Sequence, residues 1–233
     1  KVLSAILPGS LGHRRCRVEF HGHGRQRSSM SGPPIAWITH EDCHRHDAGA
    51  GHPESSARLE AVERAITASA LAPRLQRHAA PLATREQLRS VHTTRHLDAV
   101  FGPLASAPRL FDPDTVQGRH TLAAAQRAAG AGVLGTDLLL RGEVQTAFCA
   151  VRPPGHHAER DRAMGFCFFG NAALAAHRAL ELGLERVAIL DFDVHYGNGT
   201  ADIIAGDERI WMYSAYQSPL FPNWQGRPDV RNL

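Results

Sequence analysis

Two short stretches hold side chains whose types and spacing could do chemistry. In Leu-Asp-Phe-Asp-Val-His-Tyr-Gly-Asn-Gly-Thr, residues 190–200, Asp191, Asp193 and His195 occupy alternate positions. On an extended backbone alternate side chains point to one side, which gathers two carboxylates and an imidazole at the end of an apolar strand. Such a gathering is costly unless a cation offsets it. Mixed carboxylate and imidazole donors suit zinc, and a catalytic zinc keeps one position open for water. A hydrogen-bonded polar strand end is the plainer alternative. Gly197 and Gly199 permit the tight exit such a loop needs. The second stretch is Arg-Pro-Pro-Gly-His-His-Ala-Glu, residues 152–159. Its prolines stiffen the backbone, and adjacent imidazoles in a stiff loop suit proton transfer near neutral pH. Taken alone, a histidine pair is more often a surface or structural feature.

Both stretches follow strand-like runs, and the pattern around them says what positions them. Ile35–Thr39, residues 146–151, residues 186–192 and Ile210–Ser214 are short and rich in apolar residues. Helical periodicity runs from Pro53 through Leu59, Val62, Ala65, Ile66 and Ser69, over the Ala-rich Thr121–Leu140, and over residues 171–182 up to Gly183. A further helical turn begins at Asp202. Strands alternating with helices predict an α/β protein with a parallel sheet covered on both faces. In such folds the loops leaving the carboxyl ends of the strands build the site.

Composition excludes some classes of partner. The net charge of +3 is concentrated in residues 1–27, where Lys1 and five arginines face Glu19 alone. The remaining body is slightly acidic and carries no footprint for nucleic acid or an anionic membrane. Residues 1–29 lack a sustained period and read as a disordered or spurious basic leader. No apolar run is long enough to span a bilayer. Cys16, Cys43, Cys149 and Cys167 form no C-x-x-C pair, and a reducing, cytoplasmic setting is the expectation.

Residues 152–159, 165–171 and 191–199 resemble, in order, three signature blocks of the zinc-dependent histone deacetylase superfamily. His52-Pro-Glu-Ser-Ser-Ala-Arg58-Leu is similar to the family's early His-Pro-Glu block, with Ser56 where proline is usual. Asn198 stands where class I members have aspartate, so the chain looks more like class II and the bacterial deacetylase-like amidohydrolases. The resemblance implies a three-layer arginase/deacetylase-like fold, a parallel sheet flanked by helices, with the C-terminal part missing. Residues 30–233 would be the N-terminal portion of the catalytic domain.

That resemblance also implies roles. Asp193 and His195 would be zinc ligands. His157 would be the general base, partnered by Asn198, and His156 would lie nearer the leaving amine with Asp191 as its orienting carboxylate. Phe166 and Phe221 would wall a narrow tunnel, with Gly165 beside the substrate amide. Asp112 would hold the substrate backbone at the rim, and Arg58 would line an internal channel. A monovalent cation, K+, would sit near Asp191, Asp193, His195 and Ser214. The expected substrate is an acetylated lysine, polyamine or other acyl amine, with neither nucleic acid nor membrane as partner. His96 stands where the family has an aromatic residue, and His92 and His96 read as structural or surface residues. The family's third zinc ligand and its transition-state tyrosine would lie beyond Leu233, so an inactive fragment is expected. A non-catalytic pseudo-enzyme binding acyl amines is the alternative. An arginase-type hydrolase with two manganese ions would want an aspartate where Gly197 stands.

Overall fold

The computed structural model describes residues 4–8 and 32–223. The elements in chain order are β1 (Ser4–Pro8), β2 (Ile35–Thr39), α1 (Glu41–Arg45), α2 (Ser56–Thr67), β3 (Leu75–Ala79), α3 (Arg85–Arg89), α4 (Thr94–Phe101), β4 (Arg109–Asp112), β5 (Thr115–Gln117), α5 (Thr121–Leu140), β6 (Thr146–Cys149), α6 (Asn171–Glu181), β7 (Val187–Asp191), α7 (Asn198–Ile204) and β8 (Ile210–Ser214). The architecture is α/β, with parallel strands flanked by helices, as the alternation of patterns predicts.

Strand β2 shows why the layers form. Its sequence Ile-Ala-Trp-Ile-Thr is buried on both faces, the signature of a central parallel strand. It pairs in parallel with β3 on one side and β6 on the other. Ala36 and Ile38 point toward Ala131 and Leu138 of α5. Trp37 points the other way, stacks on Phe148 at 5.3 Å and packs with Cys43 of α1 and Leu59 of α2. Helix on one face, sheet, helix on the other follows from that alternation. The parallel pair β7–β8 forms a second sheet. The main core lies between it and α5 and α6, filled by Phe168, Phe169, Ile189 and Met212. Alanine and glycine let these helices approach: a Cβ on Gly132 would lie 3.1 Å from that of Ala175.

Several expectations are revised. The parallel strands fall into two sheets among the described residues, β3-β2-β6 and the pair β7-β8, to whose edge β1 is added antiparallel. Within the stretch read as a leader, Ser4–Pro8 runs antiparallel along the edge of β7, which offers it unpaired backbone groups; residues 9–31 lie outside the described part. Helix α2 starts at Ser56, because Pro53 and Glu54 belong to a turn in which the Glu54 N–H bonds His52 Nδ1 at 3.1 Å. Of the five predicted inward positions only Leu59 is buried, packed with Trp37 and Cys43, and Val62 is exposed. Strands β6 and β7 are shorter than predicted. Helix α7 begins four residues early, at Asn198, which carries that residue into the site. No helix of the described residues is long and apolar enough to cross a membrane.

Candidate active site

The loop after β6 is anchored by a buried ion pair. Arg152 and Glu54 are each almost fully buried, and the guanidinium forks onto the carboxylate at 2.8 and 2.6 Å. Its remaining N–H groups reach the carbonyls of Cys43 at 2.8 Å, His46 at 2.9 Å and Glu54 at 3.4 Å. All five guanidinium donors are therefore satisfied, the condition under which such a charge tolerates burial. Burial pushes the Glu54 carboxyl up, while hydrogen bonds from His46 and Arg152 pull it down more strongly, to about 2. This clamp joins α1, the His52–Glu54 turn and the start of the histidine loop.

From that anchor the loop delivers His156 and His157 side by side, ring centroids 3.9 Å apart. The second loop, leaving β7, supplies their partners. His156 Nδ1 lies 3.0 Å from Asp191 Oδ2. His157 Nδ1 lies 2.7 Å from Asn198 Oδ1, and the Asn198 amide nitrogen donates to Glu159 Oε1 at 2.8 Å. A carboxylate only accepts, so Glu159 fixes which way the Asn198 amide points. Its oxygen then faces His157, Nδ1 of that ring carries the proton, and Nε2 is left as the basic nitrogen. Burial, then the neighbouring His156, push the His157 pKa down to about 3, against the Asn198 hydrogen bond. The ring is neutral at ordinary pH, as a proton acceptor must be.

Alternate burial continues past the end of the strand, as predicted: Asp191 and Asp193 are buried while Phe192 and Val194 are exposed. Asp193 Oδ2 lies 2.9 Å from His195 Nδ1 and accepts the His195 backbone N–H at 2.8 Å. These two donor atoms thus converge beside His157, whose ring is 5.7 Å from that of His195. As a carboxylate oxygen and an imidazole nitrogen they fit two positions of a zinc site. The described residues contain no group of three or more such donors. Gly197 and Gly199 act through close approach rather than through an unusual φ. A Cβ at Gly197 would collide with the Asp191 carboxylate, and one at Gly199 with the backbone of His157 and Ala158.

The remaining predicted residues fall in different places. Phe221 packs edge-on to His157 at 4.9 Å. Phe166 stands against His52 at 4.7 Å, and Gly165 backs onto the His157 ring. Phe221 therefore flanks the imidazoles, and Phe166 lies one residue beyond the glycine that touches His157. Asp112 points its carboxylate at the backbone N–H of Gly165, 2.9 Å away. Ser214 is buried opposite Asp191 in the β7–β8 register, and its hydroxyl receives the Gly197 N–H at 3.5 Å. Arg58 is exposed on α2; the arginine buried behind the histidines is Arg152. His92 and His96 are structural, stacked at 4.5 Å beneath the site. His92 binds the Glu159 carbonyl and the Gly170 N–H, and His96 the Phe168 carbonyl. Sequence reasoning missed Glu54, Arg152 and Glu159 as working parts. Each stood inside a quoted motif, and only the fold shows that their charges are buried and paired.

Fold and site together define an α/β protein with two histidine dyads beside a carboxylate–imidazole donor pair. Residues 52–232 match the histone deacetylase domain family, and the chain belongs to that family. It is 37% identical over 185 residues to a histone deacetylase-like amidohydrolase of Pseudomonas aeruginosa, covering 78% of this chain and 49% of that protein. A probable deacetylase of Methanothermobacter thermautotrophicus is 37% identical over 184 residues, covering 78% of this chain and 54% of the relative. Among solved structures, that of the HDA15 HD domain superposes with a TM-score of 0.78 at 32% identity, covering 85% of this chain and 57% of that one. The chain spans about half the length of these curated relatives.

Proposed function

We propose that this chain carries the metal-proximal half of a zinc-dependent amide hydrolase that removes acetyl or related acyl groups from lysine or similar amines. The observation that carries the reading is the juxtaposition of an oriented imidazole, His157, held by Asn198, with the donor atoms of Asp193 and His195. Family membership and relatives named as deacetylases support it. Asp193 and His195 would hold the zinc. A bound zinc polarises an acyl carbonyl and acidifies water. His157 Nε2 accepts the proton that the attacking water gives up, while Asn198 and Glu159 keep the opposite nitrogen protonated. His156, held by Asp191, is placed to return a proton to the departing amine. Phe166 and Phe221 offer apolar flanks for an alkyl chain. The buried strand-end oxygens around Asp191 and Ser214 are the proposed place for a monovalent cation.

The test is acetate release from an acetyl-lysine peptide by the purified chain with added zinc. With only two zinc donors brought together among the described residues, the chain alone is expected to release no appreciable acetate. In a protein of the relatives' full length the reading expects zinc-dependent release that a chelator abolishes. His157→Ala should lower the rate by roughly 100- to 10,000-fold, the usual worth of a positioned base. Zinc and peptide binding without any release by that longer protein would instead support a non-catalytic acyl-amine binder.

A further inference from the structure

The hairpin turn between β4 and β5 reaches the wall of the site through two hydrogen bonds. Asp112 Oδ2 accepts the Gly165 N–H at 2.9 Å, and Thr115 Oγ1 accepts the Phe166 N–H at 2.9 Å. Gly165 and Phe166 are the central pair of a tight turn, closed by Met164 N–H to the Cys167 carbonyl at 3.1 Å and the reciprocal bond at 2.9 Å. Both are left-handed, with φ of 55° and 69°. A two-residue turn between antiparallel partners calls for that conformation. Glycine accepts it freely, but a residue with a Cβ resists it by about 1–2 kcal/mol. Phe166 therefore needs outside support, and the two bonds from the β4–β5 turn supply it.

The same turn sets the space beside His157. A Cβ on Gly165 would stand 2.6 Å from His157 Cδ2, so the turn backbone lies directly against that ring. The other Asp112 oxygen is occupied within its own hairpin, accepting the N–H groups of Asp114 at 3.0 Å and Thr115 at 2.5 Å. Thr115 is fully buried. Both side chains thus face the wall's backbone from behind.

We infer that Asp112 and Thr115 are positioning residues, holding the Gly165–Phe166 turn against His157 and thereby setting the width of the cleft for an acyl-amine chain. The cleft's ligand rests on the function proposed above; the support of the turn does not. The inference gives Asp112 work that is independent of any substrate backbone, in contrast to the rim contact that family resemblance implies.

Two variants test it. Asp112→Asn must turn an NH2 either to the Gly165 N–H or to its own hairpin, where two donors would face each other. Thr115→Val keeps the shape and removes the acceptor for Phe166. Amide hydrogen exchange is read first. Asp112→Asn should speed Gly165 and Thr115→Val should speed Phe166, each by about tenfold or more, the worth of one hydrogen bond. The amides of α5 should be unchanged. Turnover is then compared on N-butylacetamide, which has no peptide backbone, and on an acetyl-lysine peptide. Positioning predicts that KM rises by the same factor on both, with kcat changed less. Unaltered exchange at both amides, or a KM increase confined to the peptide, overturns the inference. The exchange measurement decides the positioning role whether or not the parent chain turns over, so failure of this inference and failure of the hydrolase reading are distinguishable.

Discussion

At the scale of single residues, the site depends on which atom of each side chain faces which partner. Asn198 is the clearest case. Its amide is held between His157 and Glu159, so it orders that imidazole and donates to the Glu159 carboxylate. Asn198→Leu is expected to destabilise the protein by roughly 1–3 kcal/mol, the cost of leaving buried polar groups unsatisfied. It should also scramble the His157 tautomer. Chemical denaturation gives the first quantity and imidazole nitrogen shifts by NMR the second; an unchanged tautomer would show that Asn198 does not orient the ring. The alternation of Asp191, Asp193 and His195 was legible in the sequence because side-chain direction in an extended chain has a period of two. The Glu159 contribution was not, because it depends on α7 starting at Asn198 and turning its amide back across the loop.

At the scale of elements, the molecule ties loops to layers with buried charges. The Arg152–Glu54 pair links the histidine loop to the turn before α2 and to the end of α1. Arg152→Met should cost about 3–5 kcal/mol, because it leaves the buried Glu54 carboxylate with His46, 3.3 Å away, in place of its guanidinium partner. The double variant Arg152→Met with Glu54→Leu should recover much of that loss. Denaturation midpoints of the single and double variants check this; equal losses in both would mean that the pair's value lies in packing rather than charge. Elements with strong local patterns were readable beforehand: α5 spans Thr121–Leu140 and Gly183 closes α6 with φ of 99°, both as predicted. The face of α2 was misread, since periodicity records where a helix could be buried and tertiary packing decides how much of it is. The short α1, α3 and α4 and the β4–β5 hairpin have too few residues to show a period and emerged only from the fold.

At the scale of the whole molecule, several imidazoles are buried in neutral form. Burial, followed by the repulsion a protonated His96 would exert, pushes His92 down to about 3, and burial lowers His96 as well. His157 is depressed for the same reason. Below the ordinary histidine value the unfolded chain takes up protons that the folded chain refuses. Stability from these rings is therefore complete above pH 6.5 and is lost as the pH falls toward 3. The loss should be on the order of 1 kcal/mol per pH unit for each ring. Urea midpoints measured at about pH 7 and pH 5 should show the fall, and His92→Asn should lessen it; a flat profile would contradict it. The central claim concerns the donor pair beside these rings, and zinc titration followed by calorimetry tests it most directly. The account predicts one zinc per chain, lost in both Asp193→Asn and His195→Ala while the fold persists by circular dichroism. No zinc bound, or zinc bound equally well by both variants, would contradict it.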